Sequence, residues 1–224
     1  MISKTRGIVF RFTRFRESSI IVSIFTEVFG LQSYMVNGVR SARPSGNKIA
    51  LFQPLTLLDM VVYHRENANI NRIREVKCLY PSHTLSTDIR KSSISLFVCE
   101  ILNKTVKEEA QSKEIFDFIF NSLLTLDHQE ENYENFHLLF LIKLSRHLGF
   151  GAYTAPQIGG TRLQDRETEE ALERLLNAAY TTPVPGITSA RRRELLEVIL
   201  GFYAEHVESL GVVKSVQVLR DVLS

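Results

Sequence analysis

The sequence lacks the features on which several protein classes depend. It contains no tryptophan, only 6 prolines and only two cysteines, Cys78 and Cys99, among 224 residues. Two cysteines are too few for a disulfide framework or a four-cysteine zinc site. No apolar run reaches the roughly 18 residues that a membrane-spanning helix needs, and the N-terminal segment has no apolar signal region. We therefore expect a reduced, cytoplasmic protein with no membrane anchor.

The motifs of the common enzyme classes are missing as well. The chain has no glycine-rich phosphate loop, dinucleotide fingerprint, HExxH zinc motif or Gly-x-Ser-x-Gly elbow. Cys78, His83 and Cys99 lack the paired spacing of metal ligands. The first 78 residues hold one aspartate, Asp59, and four glutamates, which makes a carboxylate metal site of the nuclease type hard to build. We expect no catalytic residues, no metal and no cofactor.

What is present is an ordinary globular composition with an uneven charge distribution. The chain is 44% hydrophobic and 23% charged, with a net charge of +2. Residues 1–78 hold 12 basic against 5 acidic side chains, and residues 79–224 hold 15 against 20. A front part of +7 followed by a rear part of −5 indicates two domains, of which the first meets a polyanion.

The front part has the alternating pattern of short β-strands. Ile8, Phe10 and Phe12 alternate with other side chains as in a half-buried strand. Similar patterns predict five strands, at residues 5–12, 19–26, 31–36, 55–63 and 70–78. Five short strands in about 75 residues favour a small closed or nearly closed barrel. An OB-fold is the natural candidate, although small barrels of other topology have the same pattern.

Basic residues flank the first strand and occupy the loop at residues 41–48. Together they are the candidate DNA-binding residues Lys4, Arg6, Arg14, Arg16, Arg40, Arg43 and Lys48. Cations can follow a phosphate backbone while nearby aromatic rings stack on bases. The alternative is that the arginines form a solvated rim and that Phe10, Phe12, Phe15 and Tyr34 fill the barrel. We favour the core interpretation for the aromatic residues and phosphate contact for the loop cations.

The rear part has the pattern of helices. The spacing predicts them at residues 85–106, 115–126, 131–148, 166–179, 189–209 and 215–223, with Ser112, Ser189 and Ser215 as N-caps. The third is apolar nearly all round, as in the centre of a bundle, and Gly149 follows its end. Residues 149–162 look irregular. Arg191–Arg193 are either a solvated face or a second anion contact. The predicted domains are residues 1–80 and 81–224.

Several segments resemble a family of bacterial recombination mediators, RecO. They are KTRGIV at 4–9, ESSIIV at 17–22, VNGVRS at 36–41, LFQPL at 51–55, the apolar run at 136–144 and LGF at 148–150. The likeness covers most of the chain and is strongest in residues 4–62 and 136–150. It implies an α+β protein in which a five-stranded OB-fold barrel precedes an all-helical domain.

The resemblance also implies partners and a role in DNA repair and recombination. Members of the family bind single- and double-stranded DNA, anneal complementary strands and, with RecR, help RecA load onto DNA coated by single-strand-binding protein (SSB). Many carry a four-cysteine zinc motif, but residues 150–190 contain no cysteine, so zinc is not expected here. Members can bind the acidic, hydrophobic C-terminal tail of SSB on the helical domain. Lys143 and Arg146 are the candidate contacts for that tail.

A different class of function competes with this one. The basic barrel could belong to a non-catalytic protein-interaction scaffold, in which the arginines merely keep the protein soluble. A DNA affinity no better than that of a charge-matched control protein would favour the scaffold.

Overall fold

The computed structural model describes residues 1–39, 48–65, 68–107 and 113–223. The chain divides into two compact units. The barrel unit comprises Met1–Ser82 with Val106–Phe120, and the helical unit comprises His83–Thr105 with Asn121–Ser224.

The barrel unit contains a closed five-stranded barrel. Its strands are β1 (Ile2–Phe15), β2 (Ser19–Thr26), β3 (Gly30–Val36), β4 (Leu57–Tyr63) and β5 (Asn71–Tyr80), with a 3-10 helix at Lys48–Phe52 before β4. Around the barrel the order is β1-β2-β3-β5-β4. β1 pairs antiparallel with both β2 and β4, and β3 meets β5 in parallel at two residue pairs. This is the predicted OB-fold topology.

β1 is longer than predicted because it serves two partners. Its first half pairs with β4 and its second half with β2. The pairing with β2 contains a bulge between Val9 and Arg11. Gly7 belongs to both pairings, and a Cβ there would lie 2.6 Å from side-chain atoms of Ile24 and of Met60. The barrel interior thus needs glycine at this crossing.

The aromatic residues of the barrel lie mainly inside it. Tyr34 and Phe10 are 0% and 1% exposed, and Phe12 packs against the core from its edge. The core interpretation is confirmed for Tyr34 and Phe10, which leaves their rings no access to a base. Their burial follows from the alternation of inward and outward side chains along a strand.

A helical segment joins the barrel unit. α2 (Lys113–His128) has its first half in that unit, where Phe116 lies 6.1 Å from Phe25 between ring centroids, and Phe25 stacks on Phe10 at 5.6 Å. The division predicted at residues 80 and 81 does not include this second segment. The inclusion of residues 106–120 in the barrel unit depends on aromatic contacts between positions far apart in the sequence, which no local pattern indicates.

The helical unit is built around one buried helix. Its elements are α1 (Ile89–Thr105), the second half of α2, α3 (Phe136–His147), α4 (Ala155–Gly159), α5 (Arg166–Leu176), α6 (Ser189–His206) and α7 (Ser215–Val222), with a 3-10 turn at Gly160–Arg162. Every residue of α3 from Phe136 to Ile142 is buried, and α3 contacts α1, α5 and α6. Gly149 follows α3 with φ +88°, as predicted for a glycine at a helix end. None of the described helices is both long and apolar enough to cross a membrane.

Several helix ends differ from the prediction. α6 is capped by Thr188, whose side chain accepts from the Arg191 N–H, and Ser189 is its first residue. Ser215 likewise opens α7 and donates its hydroxyl to Glu100 at 2.7 Å. Thr188, the residue before Ser189, thus caps α6, and the Ser215 hydroxyl bonds a carboxylate of α1. Ser112 lies outside the described residues.

Two further differences concern the middle of the helical unit. α3 begins at Phe136 rather than at residue 131. α4 lies within the stretch predicted to be irregular, where Thr154 and Gln157 form a capping box and Pro156 occupies the first turn. Both signals for a short helix were therefore in the sequence.

Candidate nucleic-acid interface

Arg14 and Arg16 mark one end of β1. Both are exposed, and Arg16 follows the strand in the left-handed region at φ +54°. The guanidinium carbon of Arg16 lies 5.3 Å from the centroid of the Phe15 ring. Neither arginine forms an ion pair with a carboxylate in the described ranges. Their charges are thus available to an anion from solution.

The loop that carries other predicted cations starts beside this end of β1. Val39 donates its backbone N–H to the Ser18 carbonyl at 3.1 Å, and the Ser19 hydroxyl bonds the Asn37 side chain at 3.0 Å. Arg40 and Arg43 lie outside the described residues, as does the side chain of Lys48. Val39, the residue before Arg40, therefore lies next to the turn that follows Arg14 and Arg16.

Lys4 lies on the first half of β1, away from these arginines. Its side chain is 73% exposed, and its Nζ is 3.6 Å from Asp59 Oδ2, which Lys77 also approaches at 3.3 Å. Ion pairs this exposed contribute little to stability, typically about 0–1 kcal/mol. Lys4 and Lys77 share the Asp59 carboxylate, and Glu75 lines the same groove, so the positive charge of these two lysines is largely balanced on this face of β1 and β5.

Among the predicted DNA contacts that the structure describes, Arg6 alone is hydrogen-bonded to two carboxylates. Its guanidinium bonds Glu27 at 2.8 and 2.9 Å and Asp117 at 3.0 Å, and it lies 5.1 and 4.9 Å from the rings of Phe116 and Phe120. The hydrogen bond to Glu27 raises the pKa of Arg6, and the same bond lowers the pKa of Glu27. This geometry suits a link between α2 and the barrel, and the prediction that Arg6 binds DNA stays a prediction.

Lys143 and Arg146 form a separate cationic site in the helical unit. They lie three residues apart on α3 and therefore share a face of that helix. The Lys143 ammonium is 5.6 Å from the centroid of Tyr180, and the Arg146 guanidinium carbon is 5.2 Å from that of Tyr153. Burial, and then the charge of Arg146, lowers the pKa of Lys143.

The surroundings of these two cations hold them in place but do not neutralise them. Arg146 donates to the Leu176 carbonyl at 3.2 Å, and its buried Nε has no partner in the described chain. Gly151 lies so close to Arg146 that a Cβ would clash with its backbone and side chain. Neither cation pairs with a described carboxylate. The sequence predicts both cations but not the tyrosines beside them, since Tyr180 lies far along the chain.

Arg191–Arg193 do not form a single surface. Arg191 is held by Asp165, Glu167 and Glu194, each at 2.9 Å. Arg192 donates to the Asn135 side chain and to the Leu223 carbonyl, whereas Arg193 donates to the Ser189 carbonyl of its own helix. Bonds from Thr168 and Arg191 lower the pKa of Asp165 to about 2. The cost of cations at a helix N-terminus is offset here by carboxylates from α5 and α6.

Groups suited to metals or covalent chemistry are not assembled in the described ranges. No three His, Cys, Asp or Glu side chains among those residues are placed to hold a metal ion. Cys99 is buried, and burial raises the pKa of its thiol to about 12. Its thiolate is therefore not available at neutral pH.

Comparisons with known proteins agree with this arrangement. The family model "Recombination protein O N terminal" matches residues 1–82, and "Recombination protein O C terminal" matches residues 86–155. A DNA repair protein RecO of Flavobacterium johnsoniae is 32% identical, with 99% of each chain covered. Relatives of the same name are 31% identical in Bacteroides fragilis, with 99% of each chain covered, and 31% identical in Phocaeicola vulgatus, with 100% covered.

Proposed function

Since this chain belongs to the RecO family of DNA repair proteins, we propose that it acts as a recombination mediator. In this function it binds single- and double-stranded DNA and anneals complementary strands. With RecR, it helps RecA load onto DNA that is covered by SSB. The proposal needs no bond chemistry from the protein, because each step is the binding or release of a strand or a partner.

The observation that carries the proposal is the set of uncompensated cations at one end of the barrel. Arg14 and Arg16 are exposed and have no described carboxylate partner, and Val39, the last described residue before Arg40, donates its N–H to Ser18 in the turn that follows them. Cations grouped in this way neutralise phosphates and release condensed counterions, so binding weakens steeply as salt rises. Phosphate contacts carry no sequence information, and the proposed binding is therefore insensitive to sequence.

Annealing follows from the same electrostatics. Two complementary strands repel each other through their phosphates, and a cationic surface that holds both lowers this repulsion. Holding the strands on one protein also raises their local concentration, so that the first base pairs form sooner. Lys4 and Lys77, on the outer face of β1 and β5, are each 73% exposed and offer two ammonium groups to a second strand, in competition with Asp59 and Glu75.

The test is a titration of labelled single-stranded DNA at several salt concentrations, read by fluorescence anisotropy. We expect the Arg14→Ala/Arg16→Ala variant to lose about tenfold in affinity and to reduce the slope of log affinity against log salt by about 1–2. The Arg40→Ala/Arg43→Ala variant should behave in the same way. An unchanged slope in either pair would contradict that pair's assignment.

The matched control removes two cations from the helical unit. Arg166 is 89% exposed and Arg174 is also exposed, and the Arg166→Ala/Arg174→Ala variant changes the net charge by the same amount. It should keep the wild-type affinity and slope. If all three variants weaken binding equally, the effect is one of net charge, and the scaffold function gains support.

We also propose that Lys143 and Arg146 bind the acidic C-terminal tail of SSB. Two half-buried cations without described carboxylates, flanked by Tyr153 and Tyr180, suit a peptide with both carboxylates and apolar side chains. Hydrogen bonds to charged groups are the stronger kind. Tyr180 is positioned for this by the Ser122 hydroxyl, at 3.0 Å, and by stacking on Phe136 at 4.4 Å.

A labelled peptide with the sequence of the SSB tail tests this second site. The Lys143→Ala/Arg146→Ala variant should bind it at least tenfold more weakly, because each lost charged hydrogen bond contributes about 1.5–3 kcal/mol. The same variant should bind free single-stranded DNA like the wild type, and the Arg166→Ala/Arg174→Ala control should keep its peptide affinity. Unchanged peptide affinity in the double variant would place the tail elsewhere.

A further inference from the structure

A cleft lies at the other end of β1, where β4 ends and β5 begins. Its volume is about 730 Å³, within the size range of ligand pockets, and its lining includes Ile2, Tyr63, Arg65, Ile70 and Arg72. None of these residues is among the cations predicted from the sequence to bind DNA. The cleft belongs entirely to the barrel unit.

An exposed tyrosine ring stands in the middle of this cleft. Tyr63 pairs with Ile2 on one side and with Arg72 on the other, so the three side chains form one cross-strand row. Val62 is fully buried, and the alternation along β4 therefore turns Tyr63 outward, where it is 44% exposed. Ile2 and Ile70, 53% and 41% exposed, add apolar surface beside the ring.

Positive charge surrounds the ring without a described counter-charge. Arg65 and Arg72 form no ion pair with a carboxylate in the described ranges. An anion that enters the cleft thus meets two guanidinium groups.

The backbone of the cleft is held by buried contacts. Asn71, 3% exposed, accepts from the Arg65 N–H at 3.0 Å and donates to the Gln32 side chain at 3.2 Å. The His64 ring stacks on Phe29 with centroids 3.9 Å apart. A site fixed in this way loses little conformational entropy when a ligand binds.

We propose that this cleft binds an unpaired nucleobase of a nucleic acid strand, stacked on Tyr63, with the flanking phosphates on Arg65 and Arg72. The inference rests on the proposed DNA-binding function and adds a selectivity to it. A base within a duplex is stacked on both faces and cannot lie against a protein ring, whereas a base in a single strand can. The cleft thus favours single-stranded over double-stranded DNA.

Charge distinguishes this ligand from a protein partner. An apolar protein segment would use Ile2, Ile70 and Tyr63 but would leave two guanidinium groups unpaired at its border. A nucleotide uses both features, because it combines an aromatic base with a phosphate.

The absence of tryptophan from the chain allows a direct test. In the Tyr63→Trp variant the only tryptophan stands at the proposed stacking position, and a stacked base quenches its fluorescence. The control is Val212→Trp, at a position 80% exposed in the helical unit. The probes are a labelled oligothymidylate and an abasic strand of the same length, with anisotropy of the label recorded in the same samples.

The expected result is strong quenching of Tyr63→Trp by oligothymidylate, weak quenching by the abasic strand and no change in Val212→Trp. In addition, Tyr63→Ala should weaken single-strand binding about fivefold or more and duplex binding less than twofold, while Tyr63→Phe keeps both affinities. Equal quenching by the two strands, or none at saturation, overturns the stacking site and leaves the proposed function intact. No anisotropy change in the wild type would overturn both.

Discussion

The barrel unit and the helical unit contain almost the same number of basic side chains but differ in how they use them. The barrel unit has 14 basic and 9 acidic residues, and the helical unit has 13 and 16. In the helical unit Arg162, Arg191 and Arg220 lie within 2.9 Å of carboxylates. In the barrel unit Arg14 and Arg72 have no described ion-pair partner. A local excess of cations, rather than their number, separates a binding surface from a structural network.

Each unit also contains cations that depart from its general pattern of charge pairing. Arg6 in the barrel unit is bound to two carboxylates, and Lys143 with Arg146 in the helical unit are bound to none that is described. The comparison therefore predicts that changes at structural charges alter stability, whereas changes at uncompensated charges alter binding.

The largest effect is expected at Asp127 in the helical unit. Its carboxylate, 4% exposed, accepts from the backbone N–H groups of His83, Thr84 and Leu85 at 2.7–3.2 Å and from the Thr84 hydroxyl. Asp127→Ala leaves these donors unpaired and should lower the free energy of unfolding by about 2–4 kcal/mol. Urea denaturation followed by circular dichroism measures the loss.

Asp127→Asn is the control, because an amide keeps one acceptor oxygen in place and should lose clearly less stability. DNA affinity of the folded Asp127→Ala protein should equal that of the wild type. A large loss of affinity in the folded variant would break the separation between structural and binding charges.

The next effect is a difference in acid sensitivity. His137 is 1% exposed, and burial, with the charge of Arg192 as a second cause, lowers its pKa from 6.5 to about 3. Between pH 6.5 and about 3, His137 is protonated in the unfolded chain but neutral in the folded chain. The free energy of unfolding therefore decreases as the pH falls from 6.5 towards 3. The slope approaches about 1.4 kcal/mol per pH unit, or about 2 kcal/mol by pH 5.

Unfolding titrations between pH 7.5 and 5 check this, with His137→Phe as the variant that cannot titrate. Its stability should change little over the same range. In the barrel unit the lowered pKa values belong to carboxylates such as Glu27 and Asp117. The free energy of unfolding that these carboxylates contribute is therefore lost only near pH 4 and below. An equal slope in His137→Phe would show that another group causes the sensitivity.

The smallest of the three effects is expected at Arg6. Arg6→Ala removes the bonds to Glu27 and Asp117 and should lower the free energy of unfolding by about 1–2 kcal/mol. The expected loss is small because the Arg6 side chain is 33% exposed and solvent screens its charge. The DNA affinity of Arg6→Ala should fall less than that of Arg14→Ala/Arg16→Ala. Thermal unfolding and DNA anisotropy, measured on both variants, decide whether Arg6 is structural or a phosphate contact.

Local patterns in the sequence were sufficient for the five strands and the long helices, but α4 was not predicted. Alternation along the first 80 residues predicted the five strands, and apolar spacing predicted the long helices, since both signals depend on neighbouring residues only. The ends were less well predicted. Thr188 rather than Ser189 caps α6, and β1 extends three residues beyond each predicted end, because it pairs with two strands at once.

The candidate sites show the same division. The spacing of Lys143 and Arg146 on one helix predicted that they share a face, but not that Tyr153 and Tyr180 flank them. The row formed by Ile2, Tyr63 and Arg72 likewise depends on the register of three strands, which composition does not reveal.

The sequence by itself determined the barrel, the helices, the excess of positive charge in the first part and the resemblance to RecO proteins, because each depends on residue types and short spacings. Only the tertiary structure decided which cations are free. Arg6 and Arg14 are both basic residues of β1, yet Arg6 meets Glu27 and Asp117 and Arg14 meets no described carboxylate. The interaction of a charge depends on distance in space, and distances between remote residues are set only when the chain folds.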